Sequence, residues 1–345
     1  MSVKRQKANI YTGLLLVLVF ALIIFDLSAG SEFINVKSIF TYLYRIITNE
    51  NTTISTNLIL LDSFRFPRAL TAIMAGIALS LSGLMMQTAF KNPLAGPYVL
   101  GISGGAGLGV AIVVMSSSFI SSYFLVSSWV MILSAWIGAG FVLLIIFYAS
   151  LKVKDIMTLL VFGILLGAAI SAIIGILQYF SEASQLKTFV MWTFGNLEAV
   201  TKDQLFVLFI SILVGVILSI LLIKPLNGML LGEEYAKTMG INIKITRILI
   251  FLATGLLTGT ITAFCGPIGF VGIAVPHLVR ILYKTNDHKI LIPATILFGS
   301  IIMLISDIIS QVPGTDFKMP INSITALFGI PIIIWLIVRN RKISL

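Results

Sequence analysis

Residues 91–109 read KNPLAGPYVLGISGGAGLG, between two apolar runs that are each long enough to cross a lipid bilayer. Two prolines and six glycines in this stretch break any continuous helix. If the chain turns here and re-enters the membrane, every later loop falls on one side. If it stays outside, those loops fall on the other.

The remainder of the chain makes the membrane unavoidable. Of 345 residues, 58% are hydrophobic and 10% are charged, and the mean hydropathy is +1.09. A soluble domain carries roughly 25% charged residues. Eight apolar runs of span length occupy 11–30, 66–89, 126–149, 155–180, 204–223, 246–264, 290–311 and 323–338. A run of about 20 residues matches a hydrocarbon core of ~30 Å. Two further stretches, 99–115 and 268–283, are short and rich in glycine. The short alternating segments of a β-barrel are absent from the sequence. The expected fold is an all-α polytopic membrane protein forming one transmembrane domain over residues 1–345. The basic head precedes an apolar run too long for a signal peptide, so the first run is expected to be a retained span. The single Cys265 allows no internal disulfide.

Charge decides whether the two short stretches cross. Ten spans with both termini inside place 16 Lys and Arg residues inside and 7 outside. The inside set comprises Lys4, Arg5, Lys7, Lys91, Lys152, Lys154, Lys224, Lys237, Lys244, Arg247, Arg280, Lys284, Lys289, Arg339, Arg341 and Lys342. The outside set is Lys37, Arg45, Arg65, Arg68, Lys187, Lys202 and Lys318. If neither stretch crosses, the split is 12 to 11. Loop charge orients membrane proteins, which favours ten spans and explains the net charge of +10 without nucleic acid. KNPLAGP is then a cytoplasmic turn, with Asn92, Pro93 and Leu94 at its apex and Gly96-Pro97 starting re-entry. The glycines from Gly101 to Gly109, like the pairs Gly163/Gly167 and Gly255/Gly259, sit one turn apart and permit close helix contact.

Residues 65–107, RFPRALTAIMAGIALSLSGLMMQTAFKNPLAGPYVLGISGGAG, resemble the signature of FecCD-type permeases. That signature runs R-x-P-R, a small-residue helix, S-G-x-x-x-Q, then N-P-L-A-x-P-x-x-L-G-x-x-x-G-A. Trp192 and Gly195 in MWTFGNL, GEEYAKTMGI at 232–241, GPIGFVGIAVPHLVRIL at 266–282 and the closing MPINSITALFGIP resemble further family blocks in order. The resemblance spans roughly residues 10–340. It implies the permease subunit of a type II ABC importer for iron–siderophore complexes, haem or cobalamin. Such a subunit has ten helices and pairs with a second permease subunit, as homo- or heterodimer. Two cytoplasmic ATPase subunits and an extracytoplasmic substrate-binding protein complete the assembly, in the bacterial cytoplasmic membrane. ATP and magnesium are used by the ATPase partner, and no cofactor is expected on this chain.

Arg65 and Arg68 run against the inside bias at the outer mouth of the second span, and their i,i+3 spacing puts them on one face. The resemblance implies that they meet carboxylates of the binding protein, for which arginine is suited. Anchoring to lipid phosphate is the alternative. Two positions depart from the family pattern. Gln311 stands where some members carry arginine, and Lys318 replaces the usual acidic residue, with Asn322 following in place of glycine. Lys318 is expected to supply the missing outer positive charge.

The segment around 226–245 is the longest inner loop. In it Gly232, Glu233, Glu234, Ala236 and Gly240 mark the candidate ATPase-coupling segment, with Glu233 and Lys237 spaced to support a short helix. A plain solvated loop helix is the competing reading. The resemblance makes Asp155, Ile156 and Met157 gate candidates, while Met85 and Met86 either line the pathway or pack. Pro276–His277 reads as a helix bend. With His288 and Cys265 elsewhere, the sequence forms no metal-ligand cluster, so iron is expected to pass chelated. Asp307 near a span end is expected to be paired or to snorkel.

Other functions fit less well. GISGGAGLG lacks the lysine of a phosphate-binding loop, so ATP hydrolysis belongs to a partner. An ion-coupled transporter needs ionisable groups near the bilayer midplane, whereas most charges here fall in loops or at span ends. A membrane enzyme would need a nucleophile–base or metal constellation, and none is evident.

Overall fold

The computed structural model describes residues 2–48, 56–116, 127–153, 155–315 and 317–339. Among these residues the secondary structure is entirely helical. Lys154, Arg341 and Lys342, three members of the expected inner charge set, lie outside the described residues.

Helices α1 (Ser2–Ser28) and α2 (Val36–Thr48) precede α3 (Thr56–Leu60), which runs through a π turn at Leu61–Arg65 into α4 (Phe66–Ala89). After a 3-10 turn at Pro97–Leu100 come α5 (Ile102–Met115), α6 (Ser128–Lys152), α7 (Ile156–Tyr179) and α8 (Ala183–Thr193). A second 3-10 turn at Leu197–Ala199 leads to α9 (Lys202–Leu221), α10 (Ile223–Leu230) and α11 (Glu233–Thr238). The chain closes with α12 (Ile243–Cys265), α13 (Val271–Tyr283), α14 (His288–Ser310) and α15 (Ile321–Arg339). Among the described residues, seven helical segments are long and apolar enough to span a bilayer, and α5, α13 and α15 contribute shorter apolar segments. Together these are the ten segments read from the sequence. The last run, expected over 323–338, lies within α15.

Local chemistry sets the boundaries. Asp155, Asn242 and Asp287 cap α7, α12 and α14 by accepting a backbone N–H of the first turn. Reciprocal capping boxes, Glu182 with Gln185 and Thr201 with Gln204, start α8 and α9. Helices α2 and α8 were not anticipated. In α2, Ile39 and Tyr42 are buried while Lys37 faces outward, so one face is held by the protein.

Helix α4 is the axis of the bundle. Its most apolar window is 83% buried, against 17% for α1 and for α7, so α4 is enclosed by its own chain and the other two are left largely exposed on the outside of it. It packs on α14, α12, α13 and α9. Small residues allow these approaches: a β-carbon at Gly83 would overlap the Gly272 carbonyl of α13, and one at Gly76 would overlap the Gly299 backbone of α14. Gly105 and Gly109 of α5 meet α6 at Gly138 and Ser134 in the same way.

The opening stretch turns as expected. Lys91 adopts the left-handed conformation (φ 48°), and the N–H groups of Lys91 and Asn92 return to Thr88 and Gln87, closing a Schellman-type end on α4. Asn92 Oδ1 then accepts the Leu94 N–H at 2.9 Å. Re-entry is pinned by Tyr98, whose hydroxyl donates to the Ile268 carbonyl at 2.6 Å. Pro97 packs against Gly272, so α5 starts beside α13, with Gly101 at φ 73° as its left-handed N-cap.

Candidate functional site at the two ends of α4 and α14

Helices α4 and α14 run antiparallel, because Arg68 near the start of α4 meets Asp307 near the end of α14, and Thr88 meets His288 at the opposite ends. Each end carries a buried polar group of contacts, and the two differ in kind.

At the Arg68 end the contacts are ionic. The Arg68 guanidinium donates from Nε to both Asp307 oxygens at 2.9 Å and from Nη2 to Oδ1 at 2.8 Å, and Asp307 is fully buried. Arg68 also donates to Ser310 Oγ at 3.0 Å and pairs with Glu198. Glu198 pairs in turn with Lys318 at 2.5 Å. Burial would raise the Glu198 carboxyl, but Arg68 and Lys318 outweigh it and hold it below the usual carboxylate range. Gln311 Nε2 joins Asp307 to Asp26 of α1, at 3.3 and 3.1 Å. A shallow pocket lined by Arg68, Asn196, Glu198, Asp307, Ser310 and Lys318 opens above these groups.

The two arginines therefore diverge instead of sharing a face. Arg65, the last residue of the π turn, donates to the Leu27 and Ser28 carbonyls at 3.0 and 2.8 Å and to that of Glu32. It fastens the end of α1, while Arg68 turns inward. Arg68 is 8% exposed and is already surrounded by carboxylates of its own chain. Lys318 is the most accessible of the three, with a side chain 60% exposed.

At the His288 end the contacts are mainly neutral. Asn227 of α10, His288 of α14 and Thr88 of α4 form a hydrogen-bonded line, and Arg280 of α13 reaches Gln87 and Thr88. Beside it stands the knob formed by α10 and α11. Ala236 is buried beneath it, and Gly228 lets Ile241 approach α10. Glu233, at the start of α11, turns back to Arg247 of α12 at 2.5 Å. Lys237 consequently pairs with Glu234 at 2.6 Å, at i,i+3 spacing and one residue later in the chain than the expected Glu233 partner. Gly232 and Gly240 flank the helix with φ of 108° and 79°. Leu231, Tyr235 and Met239 are exposed on it.

The remaining candidates separate. Asp155 is exposed at the start of α7, where the Thr158 hydroxyl and backbone N–H hold its carboxyl below the usual range. Ile156 packs against the core and Met157 is exposed. Met85 and Met86 are fully buried, with the Ser219 hydroxyl donating to Met85 Sδ at 3.5 Å. In this arrangement both are packing residues and line no open surface of the chain. Pro276 lies inside α13 as expected. Glu198, Asp26, Asn227 and His288 were not singled out from the sequence. The one available signal was Asp287-His288 opening an apolar run, a helix-start pattern.

The sequence profile of the FecCD transport family matches residues 16–339. The vitamin B12 import system permease protein BtuC of Klebsiella pneumoniae is 35% identical over 277 residues, covering 80% of this chain and 82% of its own. The hemin transport system permease protein HmuU of Yersinia pestis is 35% identical over 281 residues, covering 81% and 83%. A solved structure described as an inward-facing conformation of a metal-chelate type ABC transporter superposes with a TM-score of 0.83 at 26% identity, covering 96% of this chain and 99% of that one. The match runs through the re-entrant turn, the Gly266–Arg280 block and both ends of α4, and with it the chain belongs to the FecCD transport family.

Proposed function

We propose that this chain is the permease subunit of an ATP-driven importer that carries an Fe(III)–siderophore complex across a bacterial cytoplasmic membrane. The observation that carries this reading is the family match over residues 16–339, in a fold shared along nearly the whole chain with a metal-chelate transporter. The relatives named for hemin and vitamin B12 also act on metal chelates, which supports the cargo class. Iron as a siderophore complex is the member of that class we assign.

In this reading the His288 end is cytoplasmic and both termini lie inside. The exposed Leu231, Tyr235 and Met239 of the α10–α11 knob face the ATPase, with Gly232, Glu233, Glu234, Ala236 and Gly240 shaping it. The turn at Asn92, Pro93 and Leu94 lies at the same end. Lys318 is an exposed cation of the outer surface offered to an acidic binding protein, with the buried Arg68, paired to Glu198, and Arg65 holding that surface in place behind it. Asp155, Ile156 and Met157 stand at the inner mouth. A second permease subunit, identical or related, completes the pathway.

Uptake of radio-iron ferrichrome, radio-iron haem and labelled cobalamin by cells with and without the gene, before and after ATP depletion, tests this. The expected result is loss of ATP-dependent uptake of the siderophore complex alone. Loss restricted to haem or cobalamin would reassign the cargo. Uptake that survives ATP depletion and collapses with an ionophore would overturn the importer reading.

A further inference from the structure

The neutral contacts at the His288 end form a continuous path between four helices. Asn227, on α10, spends both halves of its amide on α14. Its Nδ2 donates to Asp287 Oδ1 at 2.7 Å, and its Oδ1 accepts the His288 backbone N–H at 2.9 Å and stands 2.7 Å from His288 Nδ1. Because Nδ2 is committed to a carboxylate, Oδ1 must face the ring, and Nδ1 therefore carries the proton. A neutral ring then has Nε2 as an acceptor, and the Thr88 hydroxyl of α4, which also lies 3.0 Å from the Leu84 carbonyl of its own helix, stands 2.9 Å from it as the donor. One residue earlier, Gln87 accepts from Arg280 of α13 and donates from Nε2 to the Ile273 carbonyl at 3.0 Å, in the first turn of α13. His288 is fully buried, so water cannot replace these partners.

We propose that Asn227 is the positioning residue through which the α10–α11 knob moves α14, and that His288 and Thr88 pass the displacement on to α4 and α13. Apolar packing of Leu226 and Met229 also holds α10 in place, but such contacts can slide. Two hydrogen bonds to one amide and two to one imidazole fix both distance and direction. Helix α13 is the element that Gly272 brings against Leu79 and Pro97 in the middle of the bundle, so a shift entering at Asn227 reaches the re-entrant turn. The inference rests on reading α10–α11 as the segment that meets the ATPase.

The test uses the full complex with its ATPases in nanodiscs, with Cys265→Ala as background. Spin labels are placed at Tyr235 (α11) and Lys289 (α14), and in a second sample at Lys289 and Lys91 (the end of α4). Distances are measured without nucleotide and after trapping with ATP and vanadate. In the parent complex both distances stay fixed on trapping, because the elements move together. Asn227→Leu keeps the volume and removes the amide. It should let the 235–289 distance change on trapping while ATP hydrolysis is retained, with transport per ATP falling by about tenfold, the size of an ordinary coupling energy. Thr88→Val breaks the path one step later. It should keep 235–289 fixed and release 289–91, which also serves if Asn227→Leu does not fold. Distances in both variants identical to the parent's would overturn the proposal. Leu231→Asp in the knob tests the underlying reading separately: ATPase that still co-purifies and hydrolyses ATP at the parent rate would remove the knob as the contact and leave the measured path intact.

Discussion

The α4–α14 pair is held at both ends by buried polar groups, but with opposite chemistry. At one end a guanidinium is surrounded by carboxylates, and the network runs outward through Glu198 to the exposed Lys318. At the other, an amide, an imidazole and a hydroxyl exchange directional hydrogen bonds around the fully buried His288. Guanidinium–carboxylate contacts are charge-assisted and can be traded for another carboxylate of similar geometry. Neutral hydrogen bonds lose strength quickly when bent. The first kind suits an end that must exchange partners, and the second suits an end that must transmit position.

Removing Asp307 should be the most damaging single change. Asp307→Ala strands the Arg68 guanidinium in a buried site, a loss of ~3–5 kcal/mol that thermal unfolding in detergent would register as a collapsed melting temperature. Arg68→Met with Asp307→Leu should recover most of it, because a well-packed apolar pair can replace a buried ion pair. If the double variant were as unstable as the single one, the pair would have to serve more than packing and charge balance.

The other end should respond less and without regard to salt. His288→Phe removes the imidazole from between Asn227 and Thr88, while the Asn227 oxygen keeps the backbone N–H of residue 288 and the Thr88 hydroxyl keeps the Leu84 carbonyl. The loss is that of ordinary hydrogen bonds, ~1 kcal/mol. Because no charge pair is lost, the effect should be the same in low and high salt.

Glu198 gives the comparison a pH axis. Its folded-state carboxyl is depressed by Arg68 and Lys318 acting against burial. Its stabilisation is therefore full above the unfolded value of ~4.3 and is lost as pH falls through the lower folded value. The stability gap between the parent and Glu198→Gln should be open at neutral pH and should close on acidification below that range. The smallest effect belongs to Lys318→Ala, which removes one exposed pair worth under about 1 kcal/mol and should fade in high salt.

Much of this architecture was legible in one dimension. Ten apolar segments, the turn at Asn92–Leu94 and the glycines of the close crossings follow from composition and spacing, because they depend on neighbours within a few residues. The partners of the charged groups do not. Arg68 and Asp307 are 239 positions apart, and only the antiparallel docking of α4 on α14 brings them together. The direction of Arg65 was hidden for a local reason, the π turn that ends on it. Glu233 was assigned to Lys237 because helical spacing permits that pair, whereas Arg247 on the next helix competes successfully for it. Asn227 looked like an ordinary loop residue, and its role appears only when α10 is set against the start of α14.

The two ends can serve these different purposes only if they face opposite sides of the membrane. Single cysteines at Lys318 and at Tyr235, in a Cys265→Ala background, can be challenged with a membrane-impermeant maleimide on intact cells and again after permeabilisation. Labelling of Lys318→Cys from outside, with Tyr235→Cys reached only after permeabilisation, is the predicted result. Labelling of both from one side, or the reverse order, would contradict the account.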